Sequence, residues 1–199
     1  MSRAILYILM LLLFADLNAQ QRFVVEFGEK SELNIVGSTN VIPFTLSQKV
    51  VTFTGKKRTF TLNNAAGKIR FTENKIDIPV SMFDSDNKMA LRDFKKLIQV
   101  DDYPDIRMTL NHINANLGSP DAKKIRAVAS VDLTITGQTK SYTISFETLH
   151  DDAKFHLKGN KRISIRDFGL EPPVAMMGLI KVSEWIDIQI STDCTVRKI

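Results

Sequence analysis

The feature that most constrains this chain is a period of two. In "KIRAVASVDLTIT", Ile125, Ala127, Ala129, Val131, Leu133 and Ile135 share one side of an extended backbone, and Arg126, Ser130, Asp132 and Thr134 share the other. In "WIDIQISTDCTV", Ile186, Ile188, Ile190, Thr192, Cys194 and Val196 oppose Trp185, Asp187, Gln189, Ser191 and Asp193. Successive strand side chains point to opposite faces, so this alternation specifies strands with one apolar and one wet face. A helix would scatter the same residues around its circumference.

Shorter alternations follow the same rule: Ile76, Ile78, Val80 and Met82; Ile106, Met108, Leu110 and His112; Tyr142, Ile144 and Phe146. Further strands are expected near 22–28, 31–36, 41–47, 50–54, 59–63, 68–72, 153–158 and 162–166. Turn residues separate them at Gly37, Asn63-Asn64, Gly67, Gly118-Ser119-Pro120, Gly137 and Gly159-Asn160. Many short strands at this spacing predict an all-β sandwich or barrel. One segment has helical spacing: "SDNKMALRDFKKLIQ", with Ala90, Phe94, Leu97 and Ile98 on one face, a capping residue among Ser85, Asp86 and Asn87, and Tyr103-Pro104 as the stop. The expected fold is therefore an antiparallel sheet with one inserted amphipathic α-helix. A barrel of about eight strands has an interior that side chains fill or that holds one small ligand. The small inward residues Ala127, Ala129, Thr192 and Cys194 suit a cavity and a tight sandwich equally.

The first 19 residues stand apart. Arg3, an apolar run from Ala4 to Ala15 and a small residue at Ala19 make a signal-peptide layout, too short to span a membrane comfortably. The expectation is a removed signal over 1–19, one domain over 20–199, and a periplasmic or secreted protein. One cysteine, Cys194, rules out an intramolecular disulfide. The formal charge of +5 favours anionic partners. An outer-membrane barrel would show the same alternation. One Trp and three Tyr make thin aromatic girdles, however, and charges run through every segment.

In order along the chain, "SELNIVGSTNVIPF", "KIDIPVSMFDSDNKMALRDFKKLIQVDDYPDIRM", "VDLTITGQTKSYTI", "RISIRDFGLEPP" and "KVSEWIDIQI" resemble the YceI-like family of exported, polyisoprenoid-binding proteins. The resemblance covers nearly the whole chain after the signal. It implies a lipocalin-like antiparallel barrel of about eight strands that holds an amphiphile, and no catalysis. An isoprenoid lipid or quinone would then be a bound ligand, and no cofactor is expected. The helix departs from the family pattern: the histidine and paired phenylalanines many members carry near it are missing, and Trp185 stands where a short polar residue is usual.

The candidate site follows from where apolar surface exceeds local need. "RDFGLEPPVAMMGLIKV" (166–182) holds too many large apolar side chains for a solvated connection. Phe168, Met176 and Met177 are expected to face a pocket, with Met89, Phe94 and Leu97 of the helix and with Phe44 and Met82 of flanking strands. The segment reads equally as a permanent plug or a ligand-contacting lid. Arg92, Arg166 and His112 are the candidates for a ligand's head group. The histidines lack metal spacing, and no nucleophile motif is present, so no metal or catalytic residue is expected. The carboxylate pairs Asp84/Asp86, Asp101/Asp102 and Asp151/Asp152 read as turn residues. The basic runs Lys56-Lys57-Arg58, Lys95-Lys96, Lys123-Lys124 and Lys161-Arg162 lack interleaved aromatics, which argues against nucleic acid. They read as solvated turns, or as attraction to an anionic membrane or a pyrophosphate head. A filled barrel acting through its surface is the rival reading. N-terminal sequencing of protein from the producing cell is expected to begin near Gln20; an intact Met1 on cytoplasmic protein would overturn the export signal.

Overall fold

The computed structural model describes residues 21–48, 55–63, 67–116, 124–151, 153–175, 177 and 179–199. The expected signal at 1–19 and the strand near 50–54 lie outside them. The strands are β1 (Gln21–Phe27), β2 (Glu32–Ser38), β3 (Pro43–Gln48), β4 (Lys57–Asn63), β5 (Lys68–Phe71), β6 (Lys75–Pro79), β7 (Asp105–Asn116), β8 (Lys124–Ile135), β9 (Gln138–Asp151), β10 (Lys154–Ser164), β11 (Val174–Ala175), β12 (Ile180–Lys181) and β13 (Trp185–Lys198). One helix, α1 (Lys88–Leu97), and two 3-10 turns, Val80–Met82 and Ile165–Phe168, complete the described elements.

Eight antiparallel strands close into a barrel in the order β1-β4-β5-β7-β8-β9-β10-β13, with β13 returning to β1. β2 and β3 continue the wall from β13, and β6 continues it beside β7. The two best alternations are the two best strands. Ala129, Val131, Leu133 and Ile135 of β8 are buried, as are Thr192 and Cys194 of β13. The apolar rows face inward and the polar rows face out, the reverse of a barrel that turns apolar residues to lipid. No helix among the described residues is long and apolar enough to cross a membrane.

Local sequence explains most boundaries. The β8–β9 hairpin turns on Thr136 (φ 47°) and Gly137 (φ 76°), a two-residue loop in which both positions take positive φ. Helix α1 begins where the Asn87 side chain accepts a hydrogen bond from Ala90 N at 3.0 Å. Two glycines expected in turns sit inside strands instead. A Cβ on Gly159 would stand 2.5 Å from Phe146 Cε1, and one on Gly37 would strike the Phe44 ring. Each glycine makes room for an aromatic from the next strand, so 153–158 and 162–166 are one strand. The basic runs change accordingly: Lys161-Arg162 lies within β10, Lys57-Arg58 within β4 and Lys95-Lys96 within α1, none in a turn.

The two barrel ends differ. At one end Phe23 stacks on Phe60 with centroids 5.2 Å apart, and Phe71 meets Phe60 at a tilt with centroids 5.4 Å apart, around Val25 and Cys194. That end is filled. At the other, Leu33, Ile35, Leu46, Val80, Phe83, Ile163, Phe168 and neighbours line the interior beneath α1 and the segment after β10.

Burial, and secondarily Asp193, pushes the Cys194 thiol up to about 12. A raised pKa keeps the reactive thiolate scarce through neutral and mildly alkaline pH. Thiol reagents are expected to label native protein slowly at pH 7–9, with a rate that rises about tenfold per pH unit as the scarce thiolate grows, and to label it at once in denaturant. Rapid labelling of folded protein would contradict the β13 register.

Candidate functional site

A cavity of about 250 Å³ opens inside the second end. For scale, a dry cavity of roughly 150 Å³ lined by Leu, Ile and Phe accepts benzene. Its walls come from the inward rows of the strands: Leu33 and Ile35 of β2, Phe44 and Leu46 of β3, Val131, Leu133 and Ile135 of β8, and Ile186, Ile188 and Ile190 of β13. Met89, Ala90, Phe94 and Leu97 of α1 form one side of the roof; Phe168, Leu170 and Ile180 form the other. Polar residues are few: Thr39, Asn87, Asp93, Tyr142, Lys161 and Ser183.

The roof is held by specific contacts. Phe83 meets Phe94 edge to face at 5.5 Å. Ahead of α1, Asp84 pairs with Ser47 by two backbone hydrogen bonds of 2.8 and 2.9 Å, and Ser85 Oγ donates to Thr45 O at 2.6 Å. After β10 the chain turns through Ile165–Phe168, and Gly169 takes a left-handed φ of 72°. The Tyr142 hydroxyl donates to Asp167 Oδ2 at 2.8 Å; burial first, then that carboxylate, raises the tyrosine's pKa. Arg166 binds Glu171 and Glu184, each at 2.7 Å, and its own pKa is raised by Glu171 first. Asn40 fastens the β11–β12 hairpin: its Nδ2 donates to Leu179 O at 3.0 Å and its Oδ1 accepts from Lys181 N at 2.9 Å.

The expected site residues divide. Phe44, Met89, Phe94, Leu97 and Phe168 line this one cavity. Met82 does not. Its alternation with Val80 ends where the strand becomes a 3-10 turn, which swings Met82 outward and leaves Val80 and Phe83 buried. Met177 is fully exposed, and Met176 lies outside the described residues. The segment is thus half plug: Phe168 and Leu170 are core, while Val174, Met177 and Leu179 are exposed.

The three head-group candidates also miss the cavity lining. Arg92 is exposed on α1 beside Asp93 at 3.3 Å. Arg166 is spent on its two glutamates. His112 leaves the inward row because β7 bulges between Leu110 and His112, after which Ile113 takes the inward place opposite Ala129. Partial burial first, then Lys68 and Arg70, lowers the His112 pKa. His156 pairs with Asp193, on the polar row of β13. No group of metal-ligating side chains occurs among the described residues.

Among the lining residues not expected at the site, Tyr142 and Lys161 matter most. Tyr142 was visible as a strand residue, with no sign of its tie to Asp167. Lys161 belongs to the inward row Phe155, Leu157, Gly159, Lys161, Ile163, which is hidden if Gly159-Asn160 is taken for a turn.

A family model described as YceI-like domain matches residues 29–194. No curated protein matches the chain. Among solved structures, Burkholderia cenocepacia BcnA is similar over 82% of this chain and 96% of its own, at 16% identity and a TM-score of 0.58. The Campylobacter jejuni YCEI protein is similar over 71% of this chain and 80% of its own, at 17% identity and a TM-score of 0.47.

Phe168 is 2% exposed and packs against Tyr142 with centroids 6.2 Å apart. Phe168→Ala is expected to cost about 3–5 kcal/mol in denaturant unfolding, whereas Met177→Ser should stay within about 0.5 kcal/mol of the parent. Equal effects would show that plug and exposed tip are wrongly divided.

Proposed function

Since this chain belongs to the YceI-like domain family, we propose that it is an exported binding protein that holds an isoprenoid-like or other amphiphilic molecule, its apolar part buried in the barrel. The family and the barrel fold suit a hydrophobic ligand. The observation that carries the proposal is the cavity: a nearly continuous apolar lining beneath a roof of α1 with Phe168, Leu170 and Ile180.

Energetics favour the reading. A chain that hides roughly 400 Å² of apolar surface gains about 10 kcal/mol at ~25 cal/mol/Å², against association costs that start at about 4 kcal/mol. The walls are strand side chains, so little further ordering is needed on binding. An isoprenoid lipid, a quinone or a lipid-linked pyrophosphate fits the proposal. The rival is a filled barrel acting through its surface, and the buried Phe168 and Leu170 are the observation in its favour. No catalytic step is part of either reading.

Protein purified from the periplasm or medium of the producing cell, extracted with organic solvent and analysed by mass spectrometry, is expected to release an apolar-tailed molecule in near-stoichiometric amount. Ala90→Trp, which places a large ring on the cavity-lining face of α1, should abolish that recovery with little loss of melting temperature. A ligand-free parent that also fails to take up lipid would leave the filled barrel standing.

A further inference from the structure

We propose that Lys161 is the head-group residue of this cavity and that it selects amphiphiles with an anionic head, a carboxylate or a phosphate; this rests on the cavity being a binding site. Lys161 stands in the inward row of β10, next to Ile163, which is 2% exposed, and opposite Ile188 of β13. It lines the cavity. It is also the first inward residue of β10 beyond the point where the β9–β10 ladder stops, at Asn160↔Ser145.

Its charge is unmatched. Among the described residues no carboxylate pairs with the Lys161 ammonium; what it meets is the Tyr142 ring, 5.8 Å away at the centroid. A ring face is a weak partner for a cation beside apolar walls. The acidic groups of the neighbourhood are engaged elsewhere. Asp93, which also lines the cavity, lies 3.3 Å from Arg92, and Asp167 accepts from the Tyr142 hydroxyl at 2.8 Å. The other basic candidates have their own acidic neighbours or stand off the inward rows. Among the described residues that line the cavity, Lys161 is therefore a cation with no carboxylate partner. An ammonium offers three donors and no acceptor, so the group that completes it is an oxygen acceptor bearing negative charge.

The experiment compares matched pairs in binding titrations with full-length mature protein: palmitoleate against palmitoleyl alcohol, and geranylgeranyl phosphate against geranylgeraniol. The parent is expected to prefer the anion of at least one pair by about tenfold or more, as loss of one charge-assisted hydrogen bond implies. The preferred pair tells a fatty carboxylate from a prenyl phosphate. Lys161→Met should erase the preference by weakening anion binding far more than alcohol binding, and Lys161→Arg should keep part of it. The melting temperature of Lys161→Met should equal or exceed the parent's, because an unpaired cation has left an apolar site. Equal binding of anion and alcohol by the parent, or an undiminished preference in Lys161→Met, overturns the proposal and spares the binding function. A marked loss of stability in Lys161→Met would make the lysine structural and overturn it too. Failure of all four probes overturns both.

Discussion

One strand, β13, has two partners on the same edge: β1 along its C-terminal half, from Phe27↔Cys194 to Phe23↔Lys198, and β2 along its N-terminal half, from Glu32↔Ser191 to Val36↔Asp187. Its other edge pairs with β10 throughout, from Lys154↔Thr195 to Ser164↔Trp185. This fourteen-residue strand thus closes the sheet and carries both ends of the barrel. Closure removes the free edges that an open sheet of this size would expose. The hinge between the two partners is sealed where Ser31 Oγ meets Thr192 Oγ1 at 2.7 Å, both residues buried. A buried hydroxyl pair satisfies polar groups that would otherwise weaken the strand at its junction.

From this double pairing comes the contrast between the ends. Around β1, β4 and β5 the interior receives Phe23, Phe60, Phe71 and Phe155, and rings fill the section. Around β2, β3 and β6 it receives Leu33, Ile35, Leu46 and Ile78 with the Phe44 ring, and these line the cavity. The wall is also less continuous there. Among the described residues β3 reaches the β6 side through the Ser47–Asp84 bridge and the Gln48 Nε2 to Pro79 O hydrogen bond of 3.1 Å, and the β9–β10 ladder ends at Asn160. A roof of helix and loop covers what the strands leave open. That roof is the part of the barrel whose contacts are least repetitive, and local opening concentrates in such elements.

The polar inventory of the cavity follows from the same geometry. Carboxylates and guanidinium groups near the mouth are consumed in holding the roof: Arg166 by Glu171 and Glu184, Asp167 by Tyr142. Exposed pairs of this kind contribute little stability each, so their effect is to fix where the segment lies. The apolar rim at Val41, Ile42, Val174 and Leu179 surrounds this end, beside residues that line the interior.

What the sequence determined by itself was most of the described strands, most of their inward faces and the helix, because alternation and helical spacing are local and binary. Residues 129, 131, 133, 135, 192 and 194 are buried as their parity requires, and the YceI-like resemblance carried the rows into a barrel. Five of the eight residues expected at a pocket line the cavity, four of them on the helix and the late connection, where surplus apolar surface has to cover something. Tertiary structure decided the rest. A single bulge after Leu110 inverted the face of His112, and a 3-10 turn expelled Met82. Gly159 reads as a turn until Phe146 is seen lying over it, and only then does Lys161 fall on the inward row. Such positions depend on a neighbour distant in the chain, and periodicity within one strand has no access to that neighbour.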